Sequence, residues 1–180
     1  MAKRRTTRRQ LSTGAALVTG LGMAGIAAAT PAQAEVSGSL SYSCELTNDG
    51  LERDFEDPWT VEMTFDVPDQ VEPGESIPAG DISATVTPGQ DATEAIQQFG
   101  VTSLSGTGST SYALGDGDSS DVELDVPETE VPSSGTITVP ASGTSVEETA
   151  PEEEGSVDLT AGDFTADLAN QDGFIFQIEC

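Results

Sequence analysis

Acidic residues in a short turn have a spacing that suggests metal chemistry. Asp116, Asp118 and Asp121 supply carboxylate oxygens at close positions of a Gly- and Ser-containing segment. Hard cations such as Ca²⁺ prefer clustered carboxylate and carbonyl oxygens. The three residues therefore form a candidate Ca²⁺ site, and a solvated acidic turn is the alternative interpretation.

This turn lacks the pattern of an EF-hand loop. That loop needs a glycine at its sixth position and a glutamate that binds through both oxygens at its twelfth. Counted from Asp116, these positions hold Asp121 and Pro127. A looser β-turn site for Ca²⁺ is the remaining form of this candidate, while a solvated acidic turn is the favoured interpretation. We expect no cofactor apart from this candidate ion.

The residue content argues against catalysis. The chain has no histidine, and its only lysine is Lys3. Nucleophilic catalysis needs a base beside Ser, Thr or Cys, and zinc sites use His and Cys ligands. Paired carboxylates can hydrolyse glycosides, but among 32 acidic residues such pairs carry no information, and aromatic residues are few. We predict that the protein is not an enzyme.

The two cysteines, Cys44 and Cys180, are predicted to form one disulfide. Cysteines of an exported domain are normally oxidised, and two cysteines allow one pairing within the chain. In the chain-entropy model, closing so long a loop stabilises the fold by about 5 kcal/mol. Two free thiols or pairing between molecules are the alternatives.

The N-terminal segment has the features of a secretory signal peptide. Basic residues lie between positions 3 and 9, an Ala- and Gly-rich run extends from Leu11 to Thr30, and Ala32-Gln33-Ala34 is an A-x-A cleavage site. We predict a signal peptide over residues 1–34, cleavage near Ala34, and a single extracellular or cell-surface domain over residues 35–180. A membrane anchor is the alternative for the apolar run. Arg8-Arg9 fits twin-arginine and general secretion equally.

Charge narrows the choice of partner. All 32 acidic residues lie after residue 34, where Arg53 is the one cation. This surface repels nucleic acid and anionic membranes. We expect neither as a partner and no membrane insertion after signal cleavage, which leaves a cell-envelope component or a cationic molecule. Adaptation to high salt, or a very soluble surface without a partner, would also explain the acidity.

Alternating apolar residues predict an all-β fold. From Trp59 to Val67 every second residue is apolar and those between are Thr, Glu or Asp. Similar runs recur between Gly and Pro turns, including a first strand over Val36–Leu46 and a last one over Gly173–Cys180. This pattern favours an antiparallel β-sandwich of the immunoglobulin-like kind. The alternation places Trp59 in the core rather than on a ligand-binding surface.

One short helix is predicted over Asp91–Phe99. Asp91 and Glu94 have capping-box spacing, and apolar residues recur with helical period up to Phe99, before Gly100. The acidic, low-complexity segment Ala141–Gly155 is predicted as a surface loop.

Several of these features together resemble one protein family. They are the export signal that ends in A-x-A, the segment SGSLSYSC, a helix before a Gly-rich strand, the segment VPSSGTITV, and a last strand that ends in cysteine. Over Ser37–Cys180 the chain is similar to a family of secreted actinobacterial-type proteins that share a domain of unknown function. The resemblance implies secretion, a β-rich fold and a disulfide, and it implies no catalytic residues.

Together these observations predict a secreted, non-enzymatic structural or interaction protein that associates with the cell envelope. The alternative is a small extracellular module that binds Ca²⁺ or another cation.

Overall fold

The computed structural model describes residues 33–48 and 51–180, so the predicted signal peptide lies outside the described residues except for Gln33 and Ala34. These two residues begin the first strand, where Gln33 pairs with Pro68 and Ala34 with Val67. The predicted cleavage point after Ala34 therefore falls inside a strand, and the strand retains its pairing from Glu35 onward.

Strands dominate the described chain, with one helix among them. The elements are β1 (Gln33–Tyr42), β2 (Glu45–Asn48), β3 (Leu51–Asp54), β4 (Trp59–Pro68), β5 (Ser76–Ile77), β6 (Asp81–Thr87), α1 (Gln90–Gln98), β7 (Ser103–Leu114), β8 (Ser119–Glu130), β9 (Val139–Thr144), β10 (Glu148–Thr149), β11 (Leu159–Asn170) and β12 (Ile175–Glu179).

Ten of these strands form one antiparallel sheet. Its order is β1-β4-β6-β9-β8-β7-β11-β12-β2-β3, while β5 and β10 form a separate two-stranded ribbon. The all-β, antiparallel class with one short helix is thus confirmed. In a sandwich, the core lies between two sheets. In this protein, one continuous, curled sheet encloses the core.

Contacts between distant strands show the curl. Phe65 in β4 and Tyr112 in β7 have ring centroids 5.7 Å apart. Four strand spacings separate β4 from β7 along the sheet, which would be roughly 19 Å in a flat sheet. The Tyr42 hydroxyl in β1 likewise donates a hydrogen bond of 3.0 Å to the Gly162 carbonyl in β11. One face of the sheet therefore closes around the main cluster of buried apolar side chains, which spans both halves, and a smaller cluster surrounds Cys44 and Trp59.

The alternation predicted for β4 is confirmed by burial. Trp59, Val61, Met63 and Phe65 are each at most 4 % exposed. The predicted first strand, in contrast, is two strands, because the chain leaves β1 after Tyr42 and enters β2 at Glu45. β1 pairs with β4, whereas β2 pairs with β12 and β3. The break lets one continuous segment contribute to both ends of the sheet.

The predicted disulfide is confirmed between Cys44 and Cys180. Cys44 lies in the break between β1 and β2, and Cys180 directly follows β12. The Cys180 amide donates to the Phe164 carbonyl at 2.9 Å, and the Phe55 amide donates to the Cys44 carbonyl at 3.0 Å. The bond therefore fixes the C-terminus to the point where the chain passes between the two ends of the sheet.

The helix forms close to its predicted position, but its predicted cap is wrong. Gly89 occupies the N-cap and makes no side-chain capping bond. Asp91 lies in the first turn instead, where its Oδ2 accepts from the Glu56 amide at 2.7 Å. Its own amide donates to Asp57 Oδ2 at 3.2 Å. The start of α1 is thus bound to the segment after β3, a tertiary contact that local spacing does not predict.

Candidate binding pocket

An apolar pocket of about 160 Å³ lies between α1 and the strands next to the disulfide. Apart from Arg53 and Trp59, the side chains of its wall contain no polar atoms. The lining residues are Leu46, Arg53, Phe55, Trp59, Ala92, Ala95, Ile96, Phe99, Leu104, Leu168, Phe176 and Ile178.

The helix forms one wall of the pocket. Ala92, Ala95, Ile96 and Phe99 line it, and these are the apolar positions whose helical spacing predicted α1. Because two of the four are alanines, the helix face does not fill the space in front of it. Phe99 is 74 % exposed and stands at the pocket mouth.

In the opposite wall, the strand register places apolar residues and Arg53 on the pocket side and acidic residues on the other side of the sheet. Ile178 in β12 pairs with Leu46 in β2, and Leu46 pairs with Arg53 in β3. All three side chains line the pocket. Residues directly opposite each other in a sheet share a face, and their sequence neighbours point to the other face. The acidic neighbours of this row therefore lie on the outer face of the sheet.

Arg53 is the one charged side chain in the pocket wall. Its guanidinium carbon lies 5.6 Å from the centroid of the Phe55 ring, which is cation–π geometry. It is also the one cation between residues 35 and 180. The one positive side chain of this region is therefore an exposed residue of the pocket wall.

Trp59 is the other lining residue with a polar atom, and that atom is itself buried. The side chain is buried, and its ring centroid lies 5.7 Å from that of Phe55. Its indole N–H has no hydrogen-bond acceptor among the described residues. Buried donors in proteins are normally paired, so Trp59 is an unsatisfied donor next to an apolar space. Its predicted place in the core is confirmed.

On the outer face of the same strands, three carboxylates form a row. Glu179 is paired with Glu45, and Glu45 with Asp54. Partial burial raises the pKa of Glu45, and the charges of Asp54 and Glu179 raise it further. This row is a site of repulsion, since like charges directly opposite in a sheet destabilise it.

The predicted Ca²⁺ residues lie at the β7–β8 hairpin. Asp116 and Asp118 are in the turn, Asp121 is in β8 opposite Ser111, and all three are exposed. Within residues 33–48 and 51–180, no group of three or more His, Cys, Asp or Glu side chains is placed to hold a metal ion. The calcium site stays a prediction.

The sequence indicated most of the helix wall but not the pocket. Arg53 stands out in the sequence as a lone cation and Phe99 as the last apolar residue of the helix pattern. Their meeting with β2, β11 and β12 depends on the curl of the sheet, which periodicity does not encode. In the sequence, the one sign of a cavity was the pair of alanines on the apolar face of the helix.

Taken together, the fold and pocket define an all-β, disulfide-linked protein with an apolar cavity. In the described part of the chain, no helix is long and apolar enough to cross a membrane. The chain belongs to the family of unknown function DUF6801, whose model matches residues 41–180. Searches of curated proteins and of solved structures found no match. The predicted resemblance to a family of unknown function is confirmed, while secretion and an actinobacterial-type source stay predictions.

Proposed function

We propose that this chain is a secreted, non-enzymatic binding protein whose apolar pocket holds a hydrophobic group of an extracellular or cell-envelope ligand. The pocket itself carries this proposal. Apolar cavities of about 150 Å³ stay dry and bind small apolar molecules, and a well-formed apolar pocket is the default binding site of a protein. The volume here is about 160 Å³.

Residue chemistry supports a binding role over a catalytic one. The chain contains no histidine, and both cysteines are in the disulfide. The polar groups of the pocket wall, the Arg53 guanidinium and the Trp59 indole, are hydrogen-bond donors that do not act as bases at neutral pH. Secretion is supported by the signal-peptide features of residues 1–34 and by the disulfide, which persists in oxidising compartments.

The intrinsic fluorescence of the protein tests the proposed function. Trp59 is the only tryptophan in the chain and lines the pocket, so occupancy changes its emission without a label. Titration with 1-octanol should give a saturable change. Ala95→Leu fills the pocket from α1 and should weaken this binding by about tenfold.

Gln98→Leu is the matched control, because it adds the same side chain at an exposed position of the same helix. It should leave octanol binding unchanged. Equal binding by wild type and Ala95→Leu, or no saturable signal at all, would remove the pocket as the functional site. Hydrolytic turnover by the purified protein that is lost on changing one carboxylate would overturn the non-enzymatic assignment.

A further inference from the structure

We infer that the ligand of this pocket is an amphiphile with an aliphatic body and a carboxylate head group that binds Arg53. This inference rests on the proposed function, since it names the chemical class that the pocket takes. It concerns a free molecule, because the acidic surface of the protein opposes approach to an anionic bilayer.

The polar groups of the pocket wall indicate the head group. Among the lining side chains, only Arg53 and Trp59 have polar atoms. Guanidinium and indole groups donate hydrogen bonds and do not accept them. The Trp59 nitrogen is itself buried, so the Arg53 guanidinium is the donor that a ligand can meet. A carboxylate offers the acceptors for it and matches the planar guanidinium with two parallel hydrogen bonds.

The distribution of charge favours an anionic acceptor over a neutral one. Leu46, Arg53 and Ile178 share the pocket face of their strands, whereas Glu45, Asp54 and Glu179 occupy the outer face. The register thus keeps the neighbouring carboxylates on the far side of the sheet. Arg53 is itself exposed, and charges in solvent are screened over about 8 Å at physiological ionic strength. A head group in direct contact with the guanidinium therefore responds to it more than to the carboxylates on the far side of the sheet. An anion is locally attracted although the whole protein is acidic.

The apolar surface continues outward from the cavity, which indicates a chain-like body. Phe176 in the wall lies 5.1 Å from Phe174, centroid to centroid, and Phe174 is 55 % exposed. Gln171 joins this hairpin end to the end of α1, since its Oε1 accepts from the Thr102 amide at 3.0 Å. Its Nε2 donates to the Gly100 carbonyl at 3.2 Å. Exposed apolar surface thus adjoins the cavity at Phe99, which lines it, and at Phe174, which packs on Phe176 of its wall. An aliphatic chain longer than the cavity would extend over this surface.

A simpler role for Arg53 is to cover apolar surface with its aliphatic stem. The two roles differ in their response to the ligand head group. Coverage alone predicts that octanoate, 1-octanol and octylammonium bind in the order of their apolar character, with no dependence on the guanidinium charge.

The experiment compares these three probes, which share one aliphatic chain, by Trp59 fluorescence at pH 8 in 0.15 M NaCl. Octanoate should bind about tenfold more tightly than 1-octanol, as expected for a hydrogen bond to a charged group. Arg53→Gln should remove this difference, and Arg53→Lys should retain only part of it, because an ammonium keeps the charge but not the two parallel hydrogen bonds. Glu52→Gln, on the outer face of the same strand, changes the net charge by one unit and should have little effect.

The possible results distinguish the carboxylate inference from the pocket proposal on which it rests. Equal binding of octanoate and octanol, unchanged by Arg53→Gln, overturns the carboxylate inference and leaves the pocket proposal intact. Tightest binding by octylammonium assigns the pocket to a cationic ligand and also overturns the inference. If none of the probes binds, both the carboxylate inference and the proposed function fail. If Glu52→Gln raises the affinity for octanoate as much as Arg53→Gln lowers it, the net charge of the protein, and not a contact with Arg53, explains the difference.

Discussion

At the scale of single residues, the strands next to the pocket separate two kinds of side chain. One face holds apolar groups and Arg53, and the other holds the row Glu179, Glu45 and Asp54. The separation keeps the pocket free of carboxylates, but it concentrates negative charge on the outer face. The pocket wall is therefore built at a cost in electrostatic repulsion, and that cost can be measured.

Glu45→Gln should raise the thermal midpoint at pH 7 by about 1–3 °C at low ionic strength. Partial burial and the charges of Asp54 and Glu179 raise the pKa of Glu45 above its ordinary value of 4.5. The folded protein therefore binds more protons than the unfolded chain between the ordinary and the raised pKa. The contribution of Glu45 to stability falls as pH rises through that window, and the penalty is complete above it.

The gain from Glu45→Gln should disappear below pH 4, where the carboxyl is protonated in both states, and should shrink in 1 M NaCl. Glu62→Gln is the control, because Glu62 in β4 is opposite Ser39 and Thr85 rather than other acids. Melting curves over this pH range give the comparison. A gain in Glu62→Gln equal to that in Glu45→Gln would show that net charge, and not this row, is responsible.

At the scale of elements, sequence patterns predicted the strands and the helix whose positions depend on their own apolar spacing. Alternation identified β4, and helical spacing located α1 to within one residue at each end. Both patterns reflect which side chains must be buried against a neighbouring surface, whatever that surface is. The N-cap was wrong because Asp57 binds the amide of Asp91 from outside the helix, and no local pattern contains that contact.

The acidic segment Ala141–Gly155 shows the same limit. Its composition predicts a loop, yet residues 139–144 form β9, and Ala141 is buried opposite Ala84 in β6. The Tyr112 hydroxyl also donates to Glu148 Oε1 at 3.2 Å. Partners from distant strands thus order a segment whose own sequence favours solvent. The pocket could not be predicted for the same reason, since its wall combines residues of six strands, of α1 and of the segments beside them.

Gly89→Ala should lower the stability of the fold by about 1–3 kcal/mol. Gly89 is the N-cap of α1, and a Cβ there would collide with the backbone carbonyl of Asp57. The helix start would have to move away from the segment after β3, and the pocket between them would widen. Denaturant unfolding measures the loss, and weaker octanol binding should accompany it.

Gly155→Ala provides the control for this substitution. A Cβ at Gly155 meets nothing within 4 Å, so the change should be neutral or slightly stabilising through the unfolded chain. If Gly89→Ala unfolds at the same denaturant concentration as Gly155→Ala, close contact between α1 and Asp57 does not position the helix.

At the scale of the whole molecule, one disulfide joins the end of β12 to the connection between β1 and β2, beside the pocket. Cys44 is buried in a cluster with Trp59, Ala92 and Ile178. These three partners of Cys44 line the pocket. Cys44 and Cys180 are separated by 136 residues in sequence. The bond therefore both restricts the unfolded chain and holds together the strands from which the pocket is built.

Cys44→Ser should destabilise the protein by about 5 kcal/mol in the chain-entropy model, which lowers the thermal midpoint by roughly 10–20 °C. Cys180→Ser and the double variant should match it, because each removes the same bond. Below their lowered midpoints, the variants should also bind 1-octanol more weakly, since β12 is no longer tied to the start of β2. Differential scanning calorimetry and Trp59 fluorescence measure the two effects on the same samples. An unchanged midpoint would refute the stabilising role of the disulfide, and a lowered midpoint with unchanged octanol affinity would separate that role from the pocket.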